Sequence, residues 1–179
     1  DEQTMIHYCV YHSQFTLAQR SAIESNLDRI LNRKNPDQIW SHSEVSQAIK
    51  NNLHIKRHFF VVLATSVCEV GRDHDYDWAI AEPSSMRSLV QLAGRIQRHR
   101  KQVVVQENLF ILNQNIRGLQ NNEVAFTKPG FEGKKNSNRA LSANKEIKNL
   151  LVIEQYQYIN AVPSICFIKP SSIEELPVF

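Results

Sequence analysis

Apolar and polar positions change period several times along the chain, and each change marks an element. Met5–Tyr11, MIHYCVY, is a short run rich in β-formers and predicts a strand. Phe15–Lys34 switches to helical spacing: Ala18, Ala22, Ile23, Leu27, Ile30 and Leu31 recur on one face, with Arg20, Asp28 and Arg33 among the polar positions. Asn35-Pro36-Asp37 ends it, and Ser41 with Glu44 predicts a capping box for a short helix through Asn51 built on Val45, Ala48 and Ile49. His58–Ala64, HFFVVLA, is a continuous apolar run of the kind found in strands buried on both faces. Trp78–Ala81 is a second short run. Ser84 or Ser85 then caps a helix expected from Met86 to His99, with Leu89, Leu92, Ala93 and Ile96 as its stripe. Asn108–Leu112, NLFIL, completes the set. Strand, helix, strand, strand, helix, strand predicts an α/β fold with a mainly parallel sheet flanked by helices.

After Leu119 the pattern loses its period. Residues 120–145 read as a linker or mobile loop, since Thr127–Asn144 concentrates Pro129, Gly130, Gly133, Ser, Asn and Lys. Beyond it, Glu146–Ile153 predicts a short helix and Ser164–Ile168 a short strand. The expected organisation is one α/β domain over 1–119, the linker, and the start of an accessory unit over 146–179. The chain opens at Asp1 directly into an apolar run, so a fragment of a larger protein is expected.

Composition adds little until it is read locally. The 179 residues are 42% apolar and 22% charged, with net charge +3, ordinary for a water-soluble domain and no proof of a polyanion partner. Yet Arg95–Lys101 holds four cations and no acid, and Lys128–Lys148 sets Lys128, Lys134, Lys135, Arg139, Lys145 and Lys148 against Glu132 and Glu146. Cys9, Cys68 and Cys166 are far apart and form no CxxC, so neither a zinc ribbon nor a disulfide framework is indicated, which fits a reducing, cytoplasmic setting. No apolar run is long enough to span a bilayer, so no membrane partner is expected.

In a parallel sheet, ligands meet the loops at the C-terminal ends of the strands. The loop after His58–Ala64, TSVCEVGRDHDYD, offers Thr65 and Ser66 as donors to a phosphate, Gly71 for a close backbone approach, and Asp73 as an acceptor for a ribose hydroxyl. Loops of this composition are also commonly plain turns. On the expected helix Met86–His99, Arg95 and Arg98 lie three residues apart, with Gln91 one turn earlier, and can converge on one anion. The alternative is a basic helix end that complements its dipole, which accounts for Arg98 and Arg100 but not for Gln91 and Gly94. No GxxxxGK[ST] cradle accompanies the arginines. The dipeptide His74-Asp75 cannot make a metal site alone, His54 and His58 straddle a strand start, and Cys68 reads as a small packed residue.

Taken together, VVLATSVCEVGRDHDYDWAI resembles motif V of superfamily 2 helicases, QLAGRIQR (Gln91–Arg98) resembles their motif VI, and YHSQFTLAQR (Tyr11–Arg20) resembles the motif IV region. The variants EVGRDHDYDWAI, AEPSS and QLAGRIQRHR are most similar to the helicase–nuclease of type I CRISPR interference systems, and NQNIRGLQNNEVAFTKPGFE favours subtype I-F. The resemblance covers Tyr8–Phe131 and implies a second RecA-like domain with part of a C-terminal extension. It implies that Arg95, Arg98 and Gln91 act at the triphosphate of ATP bound with Mg. It implies that Gly71 and Asp73 bind the nucleotide, and that His12, Ser13, Arg20, Thr65 and Ser66 contact single-stranded DNA. The P-loop would lie on a first RecA-like domain and the nuclease on a further domain, with a CRISPR RNA-guided surveillance complex as partner. This chain alone would then be inactive. Leu92 and Gln97 depart from the wider pattern, where those positions are often basic and glycine. Two alternatives stay open: a non-catalytic docking module with a helicase-like fold, and another superfamily 2 enzyme, such as an RNA helicase or a restriction translocase.

Overall fold

The computed structural model describes residues 3–69, 72–100, 103–127 and 140–152. By internal contacts the chain divides into two interleaved units, Asp1–Trp78 with Gly94–Asn108, and Ala79–Ala93 with Leu109–Phe179.

The first unit is organised by β1 (Thr4–Tyr11) and β2 (Arg57–Ala64), paired in parallel from Thr4↔Arg57 to Tyr11↔Ala64. Two parallel strands need a crossover connection, and α1 (Leu17–Ile30) and α2 (Ser43–Lys50) lie within it. Thr16 caps α1 with a full capping box: its hydroxyl accepts from Gln19 N at 3.4 Å and the Gln19 side chain accepts from Thr16 N at 3.3 Å. Leu27 is the residue of α1 that reaches the core, beside Tyr11 and Val45 in the buried set of this unit.

The capping box expected of Ser41 and Glu44 does not form. A short 3-10 helix, Pro36–Ser41, already occupies that stretch, started by Asn35 Oδ1 accepting from Asp37 N. Ser41 is therefore inside a turn, where its hydroxyl donates to Gln38 O at 2.7 Å. Arg29 instead ties the start of α2 to α1 by pairing with Glu44 and with the ring of His42. The burial expected for HFFVVLA also differs. Phe59, Phe60 and Leu63 are 42%, 46% and 51% exposed, and Ile6 and Tyr8 on β1 are 47% and 64% exposed, so apolar side chains stand open on both faces of the strand pair.

In the second unit, β3 (Ala79–Ala81) pairs in parallel with β4 (Leu109–Ile111). Ser85 caps α3 (Met86–Ala93) as expected, its hydroxyl accepting from Ser88 N at 3.1 Å. Asn115 starts the short α4 (Ile116–Leu119) by accepting from Gly118 N and anchors the following segment by donating to Ala125 O, both at 2.8 Å. Ala81, Leu89, Ala125 and Phe126 form this unit's core. Thr127 and Ala140 form an antiparallel bridge at the two ends of the lysine-rich stretch. The helix expected from Glu146 is a single 3-10 turn, Ile147–Asn149. The strand expected at Ser164–Ile168 lies outside the described residues.

One boundary shifts the chemistry. α3 is Met86–Ala93, not Met86–His99. Gly94 follows its last residue, and the chain then runs out of helix: Ile96 makes a parallel bridge with Tyr76, and Gln97 has φ 49°. The backbone groups that a helix would have used are taken instead by Tyr76, whose N–H donates to Arg95 O at 2.9 Å and whose carbonyl accepts from Gln97 N at 2.8 Å.

Candidate functional site

The bridge at Tyr76 lays the segment 73–77 against 95–100. Every second residue of 73–77 is an aspartate: Asp73, Asp75 and Asp77. Their partners are the cations that follow Gly94. Asp73 Oδ1 accepts from Arg98 Nε at 2.6 Å and lies 3.1 Å from His99 Nε2. Asp75, fully buried, accepts from Arg100 Nη2 at 2.6 Å on Oδ1, and from His99 N at 3.0 Å and Arg100 Nε at 3.3 Å on Oδ2. Asp77 Oδ1 accepts from Arg100 Nη1 at 2.5 Å and from Arg33 Nη1 at 2.7 Å. The end of α1 closes the cluster: Leu31 O accepts from Asp75 N at 3.1 Å, and Arg33 N donates to His99 Nδ1 at 3.2 Å.

The charges respond to one another. His99 and Arg98 beside Asp73 hold its carboxyl down at about 2. Burial works to raise Asp77, but Arg100 and Arg33 overcome it and hold it below the usual carboxylate range. Among the described residues Arg95 forms no ion pair with an acid. Its Nη2 donates to Glu69 O at 3.0 Å, while its buried Nε has no hydrogen-bond partner among the described residues. Burial, and then the positive charge of Arg98, lower its proton affinity. An orphaned buried guanidinium N–H is costly and is the type of donor that a phosphate oxygen would satisfy.

A second chain of contacts starts at β1. Tyr11 donates to Glu24 Oε1 at 2.8 Å, and Glu24 also pairs with Arg20 at 3.5 Å and Arg72 at 2.5 Å. Arg72 continues to Asp28 at 3.1 Å, and Asp28 accepts from His74 Nε2 at 2.8 Å. His74 Nδ1 is 3.0 Å from the hydroxyl of Tyr76, the residue that bridges to Ile96. Burial holds His74 below the usual imidazole range and pushes the Tyr76 phenol up, so Tyr76 donates and His74 stays neutral. His74 is thus held between Asp28 and Tyr76.

The structure brings some expected site residues together and not others. His12 and Ser13 follow β1, and Thr65 and Ser66 follow β2, so the pairing Tyr11↔Ala64 sets them side by side at the C-terminal end of the strand pair, with Thr65 N donating to Tyr11 O at 3.2 Å. His12 stacks on Phe15 at 4.2 Å. Arg20 lies on α1 in the Glu24 cluster. Gly71 lies outside the described residues. Gln91 does not share a helix face with Arg95 and Arg98: it sits on the last turn of α3, in the second unit, and the arginines follow Gly94 in the first. The sequence pattern gave Asp75, Asp77, His99 and Arg100 no role at the site. The signal was there, three aspartates at every second residue facing a run of cations, but a helical reading of 94–99 hid it.

The model for the C-terminal region of the CRISPR-associated nuclease/helicase Cas3 matches residues 1–101. The chain belongs to this Cas3 family. Two curated relatives carry the name CRISPR-associated nuclease/helicase Cas3 subtype I-F/YPEST. That of Pectobacterium atrosepticum is 49% identical over 180 residues and covers 97% of this chain. That of Pseudomonas aeruginosa is 51% identical over 129 residues and covers 71% of it. The subtype resemblance is borne out by both. This Cas3-family chain spans 16% and 12% of the lengths of those relatives. Among solved structures, T. fusca Cas3 with ADP shares 21% identity at a TM-score of 0.40, over 59% of this chain and 11% of that one. T. fusca Cas3 with ATP shares 21% identity at 0.41, over 76% and 13%.

Proposed function

We propose that this chain is the second RecA-like domain, with part of a C-terminal extension, of an ATP-driven single-stranded DNA translocase that feeds a nuclease during CRISPR interference. The observation that carries the reading is the contrast among the three arginines after Gly94. Arg100 spends four of its N–H donors on Asp75, Asp77 and Tyr76 O, whereas among the described residues Arg95 keeps a buried donor without a partner and Arg98 uses Nε and Nη1 on Asp73 and Gly94 O. Two arginines held on a tethered segment, one with a buried donor to spare, fit the charge that develops on a transferring phosphoryl group.

Bound ATP would supply the free energy for translocation, its triphosphate cradled with Mg by a first RecA-like domain. The donor set here fits that division in supplying arginines for phosphate oxygens. Asp73 and Gly71 would border the nucleotide, and Gln91 would help to position the phosphate. His12, Ser13, Thr65 and Ser66, at the C-terminal end of β1 and β2, and Arg20 on α1 would line the path of the DNA backbone. An RNA-guided surveillance complex would deliver the strand, in the cytoplasm. Among the described residues no helix is long and apolar enough to cross a membrane.

The test is Arg95→Ala in the full-length protein. DNA-stimulated ATP hydrolysis is expected to be abolished while single-stranded DNA binding persists, and unchanged turnover would sink the assignment. Binding to single-stranded DNA and RNA compared over a salt series separates the DNA reading from an RNA helicase, since phosphate contacts weaken steeply with salt in both and a preference shows only against that background.

A further inference from the structure

Arg100 and Asp75 lie beyond the motif VI pattern, which ends at Arg98, yet Asp75 is one of the most deeply buried groups in the chain, at 0% exposure. A buried carboxylate is retained at a cost unless it is fully paired. This one is: Arg100 approaches it with two nitrogens, and the third donor is a backbone group, the N–H of His99. That backbone contact fixes the main chain one residue after Arg98. Tyr76 fixes it on the other side, at Arg95 O and Gln97 N. Arg100 joins the two holds, because its Nη2 also donates to Tyr76 O at 2.8 Å. With four of the five N–H donors of a guanidinium used, Arg100 has no fork left for a phosphate.

We infer that Arg100, anchored by Asp75, is a positioning residue for the phosphate-directed arginines: it clamps 98–100 onto 75–77 so that Arg95 and Arg98 emerge from a fixed backbone. The inference rests on the proposed role of those two arginines. Its distinguishing feature is that Arg100 acts only through them. A small displacement of a catalytic group is enough to cost about 100-fold in rate without altering ground-state binding.

The experiment compares steady-state DNA-stimulated ATP hydrolysis in the full-length protein for four variants: Arg95→Ala, Arg98→Ala, Arg100→Lys, and Arg98→Ala with Arg100→Lys. Arg100→Ala is avoided because it strands the Asp75 charge in the interior. Lysine keeps the charge but not the planar fork that spans Asp75, Asp77 and Tyr76 O. Arg100→Lys is expected to lower kcat by roughly 10- to 100-fold with KM for ATP within about twofold of wild type. DNA affinity is expected to hold, and the protein to stay folded at the assay temperature although its melting temperature falls, since lysine cannot replace both Arg100 contacts to the buried Asp75. In the Arg98→Ala background the lysine substitution is expected to add far less than its effect alone. Wild-type kcat in Arg100→Lys alongside an inactive Arg95→Ala overturns this inference and leaves the ATP-site reading standing. An undiminished effect of Arg100→Lys in the Arg98→Ala background, or a loss of activity that tracks a loss of folded protein, also overturns it. Full activity in Arg95→Ala overturns both.

Discussion

Arg98 Nε and Asp73 Oδ1 stand 2.6 Å apart, so two residues each expected at a nucleotide are partnered with one another. The pair has a pH signature. The Asp73 carboxyl is held down at about 2, from an ordinary value of 3.8, by His99 and Arg98. A depressed carboxylate stabilises the folded state above its ordinary pKa and loses that contribution as pH falls through the folded value. Melting temperature is therefore expected to drop between about pH 4 and pH 2, and to drop less in Asp73→Asn. Calorimetric scans across that range check it; parallel curves for the two proteins would refute the role given to the pair.

Gln97 is a non-glycine residue at φ 49°. The left-handed region costs an L-residue roughly 1–2 kcal/mol, and glycine returns about 0.5–1 kcal/mol of that through its freer unfolded chain. Gln97→Gly is expected to be neutral or slightly stabilising in urea unfolding. Gln97→Val, with a branched Cβ, is expected to destabilise by more than about 1 kcal/mol. Equal midpoints for the two variants would contradict the backbone explanation.

Tyr11 is 1% exposed and its hydroxyl donates to Glu24, which also holds Arg20 and Arg72. The Tyr11 hydroxyl is the largest influence holding Glu24 below its usual range. A hydrogen bond to a charged group contributes about 1.5–3 kcal/mol. Tyr11→Phe is expected to cost about that much and to raise the Glu24 pKa, readable by carboxyl NMR titration. A silent titration would remove Tyr11 from the network.

Burial, with Glu69 nearby, pushes the Cys68 thiol up to about 11. Very little thiolate exists at neutral pH, so alkylation of Cys68 in the folded protein is expected to be slow and to accelerate only as pH nears that value. Peptide mapping after timed iodoacetamide treatment measures it. Rapid labelling at pH 7 would disprove the assignment of Cys68 as a packed, inert side chain.

The elements were largely legible because burial-driven periodicity is a local signal: β1, β2, β3, β4 and α1 fall within a few residues of the runs that predict them. The failures came where a local cue met a competing one. Ser41 carries a capping-box spacing with Glu44, but Pro36 starts a turn that absorbs it. Ile96 extends the stripe of Leu89 and Leu92, but Gly94 and the bridge to Tyr76 end the helix first. The apolar content of His58–Ala64 announces burial on two faces, yet covering those faces depends on what packs there, which no local pattern encodes. Of the site, Arg95, Arg98 and Asp73 were visible through motif spacing. Asp75 and Arg100 were not, because their pairing links segments 25 residues apart and only the bridge at Tyr76 sets it.

The interleaving of the two units imposes an order on synthesis. Asp73, Asp75 and Asp77 leave the ribosome before Ala79–Ala93, a segment that belongs to the other unit, and their cations come only after it. At about 5–20 residues per second the nascent aspartates wait roughly one to several seconds for Arg98 and Arg100. Until then Asp77 has only Arg33 and Asp73 only Lys34 among these cationic partners, and the buried Asp75 lacks Arg100. The arginine segment is thus the last stitch of a structure begun much earlier, and a ribosome pausing within Ala79–Ala93 would leave that structure open.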